Sequence, residues 1–264
     1  MSDFPLDFRV GAQVEEIINQ LASTPRLFVV SDFDGTLAHH STDIYGVPVN
    51  QDSIEALAAF AKLPNTFAAA LSGRHLEGLK QVFPLRAPVM LGGSHGAETE
   101  GEESSLTEDM RSFLERVDAE LNAIAADYDE AFVEQKPFQR GLHVKALSER
   151  DPRAAEEALA RGRAIDPGEF FLTEGKNILE FSATTATKGT WIDKERKLID
   201  ATAVVFLGDD VTDEDGFSVL NQPTDLGVKV GEGETAAYLR VADIDEVAAF
   251  LKALVKARQE FLTT

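Results

Sequence analysis

Asp32-Phe33-Asp34-Gly35-Thr36-Leu37 sets two carboxylates two positions apart, directly after the apolar run Phe28-Val29-Val30-Ser31. A carboxylate in such a place can attack phosphorus and form an aspartyl-phosphate. A second can give and then take a proton. Carboxylate oxygens also suit a hard cation such as Mg²⁺. An ordinary acidic strand-to-helix turn, where Asp and Gly are common, accounts for the same residues. A second acidic group, Gly208-Asp209-Asp210-Val211-Thr212-Asp213-Glu214-Asp215, follows the apolar run Ala203–Leu207. Carboxylates crowded at one strand end repel each other unless a cation neutralises them. The plainer account is a solvated turn feeding a helix N-terminus, which favours acids. A calcium-binding EF-hand loop fits Asp213, Asp215 and Gly216 but fails at its first and last ligand positions, Val211 and Gln222.

Two smaller signals sit at other element ends. Leu71-Ser72-Gly73-Arg74 closes an apolar run and opens a helix. Its hydroxyl and backbone N–H groups can hold a phosphoryl oxygen, but for this motif alone an N-capping Ser72 is the favoured explanation. Thr187-Lys188-Gly189 also begins a helix. A cation there opposes the helix dipole, which a nearby anion would offset.

The elements that must position these residues alternate. Arg26–Ser31, Thr66–Leu71, Pro88–Leu91, Ala203–Leu207 and Leu226–Val230 read as buried parallel strands. Helical patterns lie between them: Asp52 and Glu55 form a capping box before the stripe Ile54, Leu57, Phe60 and Leu63, and 190–199 and 245–261 also read as helices. This is an α/β pattern, a doubly wound parallel sheet, in which ligands bind outside the carboxyl ends of the strands. The rhythm breaks after the polar stretch Gly101-Glu102-Glu103-Ser104-Ser105. Ser105 and Glu108 form a second capping box ahead of the stripe Met110, Phe113, Leu114, Val117, Leu121 and Ile124. Strand-like runs at 129–134 and 141–147, a helix at 152–163 and strands at 169–173 and 177–182 complete an α-β-β-α-β-β unit. The expected organisation is a discontinuous core, 1–101 and 185–264, with an inserted α+β domain at 102–184.

Composition sets the outer limits. The 264 residues, 44% hydrophobic and 27% charged, allow one or two globular domains and exclude a mostly disordered chain. No apolar run approaches the roughly 18 residues of a membrane span. The start Met1-Ser2-Asp3-Phe4-Pro5 has no basic region followed by an apolar stretch, so no secretory signal is expected. The absence of cysteine excludes disulfides, thiolate metal sites and cysteine nucleophiles. A cytoplasmic location is the expectation. The net charge of −21 argues against nucleic-acid or anionic-membrane partners. An anionic substrate would need a local site of opposite sign.

The ordered set Asp32-Phe33-Asp34-Gly35-Thr36-Leu37, Ser72, Lys188 and Gly208-Asp209 through Asp213 resembles the haloacid dehalogenase-like phosphatase superfamily. Asp34 and Ser72 are 38 positions apart, enough for a helix and no large insertion, whereas Ser72 and Lys188 are 116 apart. An α-β-β-α-β-β unit in the second interval looks like the superfamily's second cap type. Within it, the chain resembles the trehalose-6-phosphate phosphatases. The residues behind this are Gly73-Arg74, Gly93-Ser94-His95-Gly96-Ala97-Glu98, Glu134-Gln135-Lys136, His143-Val144-Lys145, Asn177 and Glu180, Lys188-Gly189, and Gly208 through Phe217. The resemblance runs from about Arg26 to Phe250 and is weaker in the cap. It departs where the family usually shows His-x-Arg and this chain has His143-Val144-Lys145, since lysine lacks arginine's bidentate fork.

The resemblance implies a Mg²⁺-dependent phosphatase acting on a small-molecule sugar phosphate; a monomer is the expectation. It makes Asp32 the nucleophile and Asp34 the acid and base, with Ser72 and Lys188 holding the phosphoryl group. Mg²⁺ would sit among the Asp32 carboxylate, the Asp34 backbone carbonyl and Asp209, with Asp213 a further ligand or its support. Arg74, Glu134, Lys136, Lys145, Asn177 and Glu180 would bind substrate; ordinary polarity on a half-exposed sheet explains the cap members as well. Cap closure, hinged near Gly101 and Ala186, would exclude water during attack. His95 reads as junction support or as a structural histidine. His39 and His40 carry no assigned role. Trehalose 6-phosphate leads among substrates, beside sucrose phosphate, mannosylglycerate-type phosphates and a non-catalytic sugar-phosphate sensor.

Overall fold

The computed structural model describes residues 6–7, 11–41, 43, 45–102, 106–175 and 177–263. In chain order the first elements are β1 (Leu6–Asp7), α1 (Gly11–Ala22), β2 (Leu27–Ser31), α2 (Gln51–Phe60), β3 (Thr66–Leu71), α3 (Leu76–Val82), β4 (Met90–Gly93) and β5 (Glu98–Thr99). Next come α4 (Glu108–Ala125), β6 (Phe132–Lys136), β7 (Gln139–His143), α5 (Lys145–Arg150), α6 (Pro152–Arg163), β8 (Phe171–Gly175) and β9 (Ile178–Ser182). The chain continues with α7 (Lys188–Leu198), β10 (Ala203–Gly208), α8 (Glu214–Ser218), β11 (Leu226–Val230), β12 (Leu239–Val241) and α9 (Ile244–Thr263). Two compact units result, Met1–Glu102 with Ala186–Thr264, and Glu103–Thr185.

The larger unit is built on an eight-stranded sheet of order β1-β12-β11-β10-β2-β3-β4-β5, parallel except for the β4–β5 pair. All five residues of β2 are buried, and they feed two cores. Leu27 and Val29 join the helices α1, α2 and α9 on one face; Phe28 and Val30 join Trp191 and Phe206 on the other. A sheet covered on both faces needs continuous apolar strands, which is why these were legible as runs rather than alternations. The smaller unit is an antiparallel sheet, β6-β7-β9-β8, packed against α4 and α6 around Leu121, Leu142, Leu159, Leu179 and Phe181.

Several local expectations are corrected. The cap of α2 is Asn50, whose side chain accepts from the Ser53 N–H at 3.1 Å. Asp52 lies inside the first turn, so the Asp52–Glu55 box is not the cap. Thr107 caps α4, accepting from Met110 N–H; Ser105 lies outside the described residues. Ser72 does not cap α3: the cap is His75, whose Nδ1 accepts from Gly78 N–H at 2.9 Å. The strand expected over 141–147 ends at His143, and Lys145–Arg150 forms α5, so the smaller unit holds one helix more than its pattern implied. β1, β5 and β12 are too short to leave a periodic signal, and the sequence expectation stops short of α1 although Val14, Ile17, Ile18 and Leu21 recur at helical spacing. Among the described residues no helix is long and apolar enough to cross a membrane.

Candidate functional site

The carboxyl ends of β2, β3 and β10 lie side by side because these strands are parallel neighbours. Asp32 leaves β2 while its N–H still donates to Leu207 O at 2.8 Å, which ties the turn to β10. The turn then closes tightly: Leu37 and Ala38 N–H both donate to Phe33 O, and Gly35 N–H to Ala38 O. Gly35 has φ +87°, and a Cβ there would overlap the Asp209 carboxylate. Gly208 is required for the same reason, because a Cβ on it would strike Asp213. Two glycines thus make room for two acids.

Lys188 opens α7, and its ammonium reaches Asp32 Oδ1 at 2.5 Å and Asp213 Oδ1 at 2.7 Å. All three side chains are nearly inaccessible to solvent. Carboxylate oxygens of Asp32, Asp209 and Asp213 lie within 4.8 Å of one another. Burial drives the Asp32 carboxyl well above the ordinary aspartate range, opposed by Lys188 and reinforced by Asp213 and Asp209. Burial alone would lower the Lys188 ammonium, but Asp32 and Asp213 outweigh it and raise it. Asp209 is also pushed up, first by burial and then by Asp213, while His40 pulls the other way.

Asp34 is held differently. Arg74 grips its carboxylate by both oxygens, Nε to Oδ2 and Nη2 to Oδ1, each at 2.7 Å. Arg74 is placed in turn by Ser72, whose buried Oγ accepts the Arg74 N–H at 3.1 Å. Asp32, Asp34, Ser72, Arg74, Lys188, Asp209 and Asp213 therefore share one end of one sheet. Two contributors lay outside the sequence expectation. Lys229 is buried on β11 and donates to the Asp209 carbonyl; a lysine inside the apolar strand Leu226–Val230 was its available signal. His40 Nε2 meets Asp209 Oδ2 at 3.0 Å, and nothing in an exposed loop marks such a residue in sequence. Asp32, Asp209, Asp213, Lys188 and Lys229 together carry one formal negative charge. The donor set is all oxygen, clustered and shielded from bulk water, which fits a hard divalent cation.

In the smaller unit, Glu134, Lys136 and Glu180 form a connected row: Lys136 Nζ lies 3.1 Å from Glu180 Oε1 and 3.6 Å from Glu134 Oε2. His143 joins them, its Nε2 3.0 Å from Glu134 Oε2, and that hydrogen bond is the main cause of the lowered Glu134 pKa. Asn177 stands in the β8–β9 turn with φ +65°, its carbonyl accepting from Val144 N–H at 3.0 Å. Lys145 is exposed at the start of α5.

The trehalose-phosphatase family model matches residues 30–243. The chain is 30% identical over 235 residues to the trehalose-6-phosphate phosphatase of Escherichia coli strain K12, covering 87% of this chain and 86% of that protein. Its fold is similar to the C-terminal domain of the C. albicans trehalose-6-phosphate phosphatase, with TM-score 0.72, 19% identity and coverage of 97% and 99% of the two chains. It is similar as well to the C-terminal domain of the Candida albicans trehalose synthase regulatory protein, with TM-score 0.70, 12% identity and coverage of 90% and 97%. At these identities the two structural likenesses show the fold alone.

Proposed function

As this chain belongs to the trehalose-phosphatase family, we propose that it hydrolyses trehalose 6-phosphate to trehalose and inorganic phosphate. The observation that carries the reading is the Lys188 ammonium shared by Asp32 and Asp213 beside Asp209. A nucleophilic carboxylate, a cation and a divalent-ion donor set at one strand end form a site for phosphoryl transfer.

In the first step an Asp32 oxygen bonds to phosphorus as the bond from phosphorus to the sugar oxygen breaks. Asp34 gives that oxygen a proton. In the second step Asp34 takes a proton from water, whose oxygen bonds to phosphorus and releases the Asp32 carboxylate with inorganic phosphate. Arg74 now holds Asp34 by both oxygens; an arriving phosphoryl group competes for that fork and frees Asp34 for proton transfer. Ser72 and Lys188 hold the phosphoryl oxygens. Asp32, the Asp34 carbonyl and Asp209, with Asp213 as a further ligand or its support, would hold Mg²⁺, which would supply positive charge against the phosphoryl group. With a divalent ion the cluster passes from one net negative to one net positive charge, so an acidic protein offers a local attraction for a phosphate.

The 102–184 segment acts as the cap that reads the sugar. A disaccharide has many hydroxyls and little apolar surface, so its recognition needs several fixed polar partners. Glu134, Lys136 and Glu180 offer these as a preformed row, and Asn177 and Lys145 are further polar partners. The runner-up reading is a non-catalytic sugar-phosphate sensor on the same fold. Asp32, Asp34 and Lys188 are nonetheless all present, with Lys188 paired to Asp32 and Asp34 to Arg74, which favours catalysis.

The test is phosphate release from trehalose 6-phosphate, sucrose 6-phosphate and mannosylglycerate phosphate, with and without EDTA. Release is expected to be fastest from trehalose 6-phosphate and to stop with EDTA. Preference for another sugar phosphate would reassign the substrate, and no release from any would leave the non-catalytic reading.

A further inference from the structure

The antiparallel sheet of the smaller unit gives one face to its own core through Leu142, Leu179 and Phe181. Side chains alternate along strands, so Phe132, Glu134 and Lys136 of β6 lie on the other face. The cross-strand register sets His143 opposite Phe132, and Gly141 between Glu134 and Glu180. Three features of this face stand together. The Phe132 ring is 58% exposed yet fixed in plane, stacked on the His143 ring with centroids 4.7 Å apart and 1° between planes. His143 is itself anchored to Glu134 at 3.0 Å. Gly141, between the two glutamates, has no side chain to crowd this arrangement: a Cβ there would press on His143 Nε2 at 3.3 Å.

We propose that Phe132, backed by His143, is a stacking platform for a pyranose ring whose hydroxyl rim is read by Glu134, Lys136 and Glu180. A pyranose with equatorial hydroxyls is polar around its rim and apolar on its C–H faces. Those C–H groups favour the electron-rich face of an aromatic ring. The rim needs both donors and acceptors, which the ammonium and carboxylates supply. A rigid, preplaced platform loses little conformational freedom on binding. Phe132 is thus a specificity-determining residue that the polar row alone does not contain. This inference rests on the sugar-phosphatase reading above.

The experiment compares the ratio of kcat/KM for trehalose 6-phosphate to that for phenyl phosphate, using the full-length protein. Phe132→Ala and Phe132→Leu are expected to lower the ratio by about tenfold, and Phe132→Trp to restore it. Gly141→Val, which would press on His143 behind the platform, is expected to lower it as well. A wild-type ratio in Phe132→Leu would reduce the platform to apolar area and overturn the stacking claim. A wild-type ratio in Phe132→Ala would remove Phe132 from recognition while leaving the phosphatase reading intact. Failure of the unmodified chain to release phosphate from trehalose 6-phosphate would remove the reading and the platform together, before any variant is made.

Discussion

The ammonium of Lys188 is shared between two buried carboxylates, 2.5 Å from Asp32 and 2.7 Å from Asp213. One cation thereby reconciles acids that follow two different strands, β2 and β10. Burial of a charge is costly unless it is paired and hydrogen-bonded. Two acids and one base still leave a negative surplus, which Asp209 enlarges and Lys229 only partly offsets. The site is therefore held together under electrostatic tension that a bound cation would relieve.

Asp32→Asn removes the proposed nucleophile together with one of the crowded charges. Turnover of trehalose 6-phosphate is expected to fall by at least about a thousandfold. The melting temperature without added metal is expected to stay level or rise, because repulsion from Asp209 and Asp213 is relieved. Steady-state assays and thermal melts check both. Residual activity within about tenfold of the unmodified protein would contradict the assignment.

Lys188→Met has the opposite effect on stability. It leaves Asp32 and Asp213 buried without their shared partner, a loss of about 3–5 kcal/mol for a broken buried pair. The metal-free melting temperature is expected to drop by several degrees, with saturating Mg²⁺ raising it by more than in the unmodified protein. Denaturant unfolding with and without metal measures the difference.

Asp32 and Asp209 both have folded-state pKa values above the ordinary 3.8. A raised carboxyl binds its proton more tightly when folded, so it favours folding below that ordinary value and progressively less as pH climbs through the raised one. Metal-free protein is expected to gain stability from these two groups on mild acidification from neutral pH. Mg²⁺ should add most at neutral pH and least in acid, since protons and the cation compete for the same oxygens. Melting curves across pH, with Mg²⁺ or EDTA, should converge as pH falls; parallel curves would place the cation elsewhere.

Lys136→Ala and Glu180→Ala break the ion pair in the row on the smaller unit's sheet. The pair is partly exposed, so little change in stability is expected. Use of trehalose 6-phosphate should fall about tenfold or more, with a much smaller effect on phenyl phosphate. Equal losses on both substrates would place these residues outside sugar recognition.

The central strands were legible because a parallel sheet buried on both faces demands apolar runs, as in β2 and β10. The acidic turns were legible because Asp32 and Asp34 in one, and Asp209 and Asp213 in the other, lie close together in sequence. Helix starts were read less well. Asn50 and His75 cap where Asp52 and Ser72 were expected, since several polar residues near a helix start can each satisfy the first N–H groups, and only backbone geometry selects one. α5 escaped because six residues carry too little periodicity to outweigh the strand pattern before them.

Sequence alone determined the chemical inventory of this protein: two acidic turns at strand ends, a lysine at a helix start, no cysteine, and an insertion of its own pattern between Ser72 and Lys188. Only tertiary structure decided which charges meet. Asp32 and Lys188 are 156 positions apart yet hydrogen-bonded, and Arg74 chose Asp34 rather than solvent. It alone brought His40 and Lys229 to Asp209 and laid Phe132 flat on His143. Local spacing records which groups a short segment carries, but the pairing of distant charges and rings is set by the register of neighbouring strands and by the burial that makes an unpaired charge untenable.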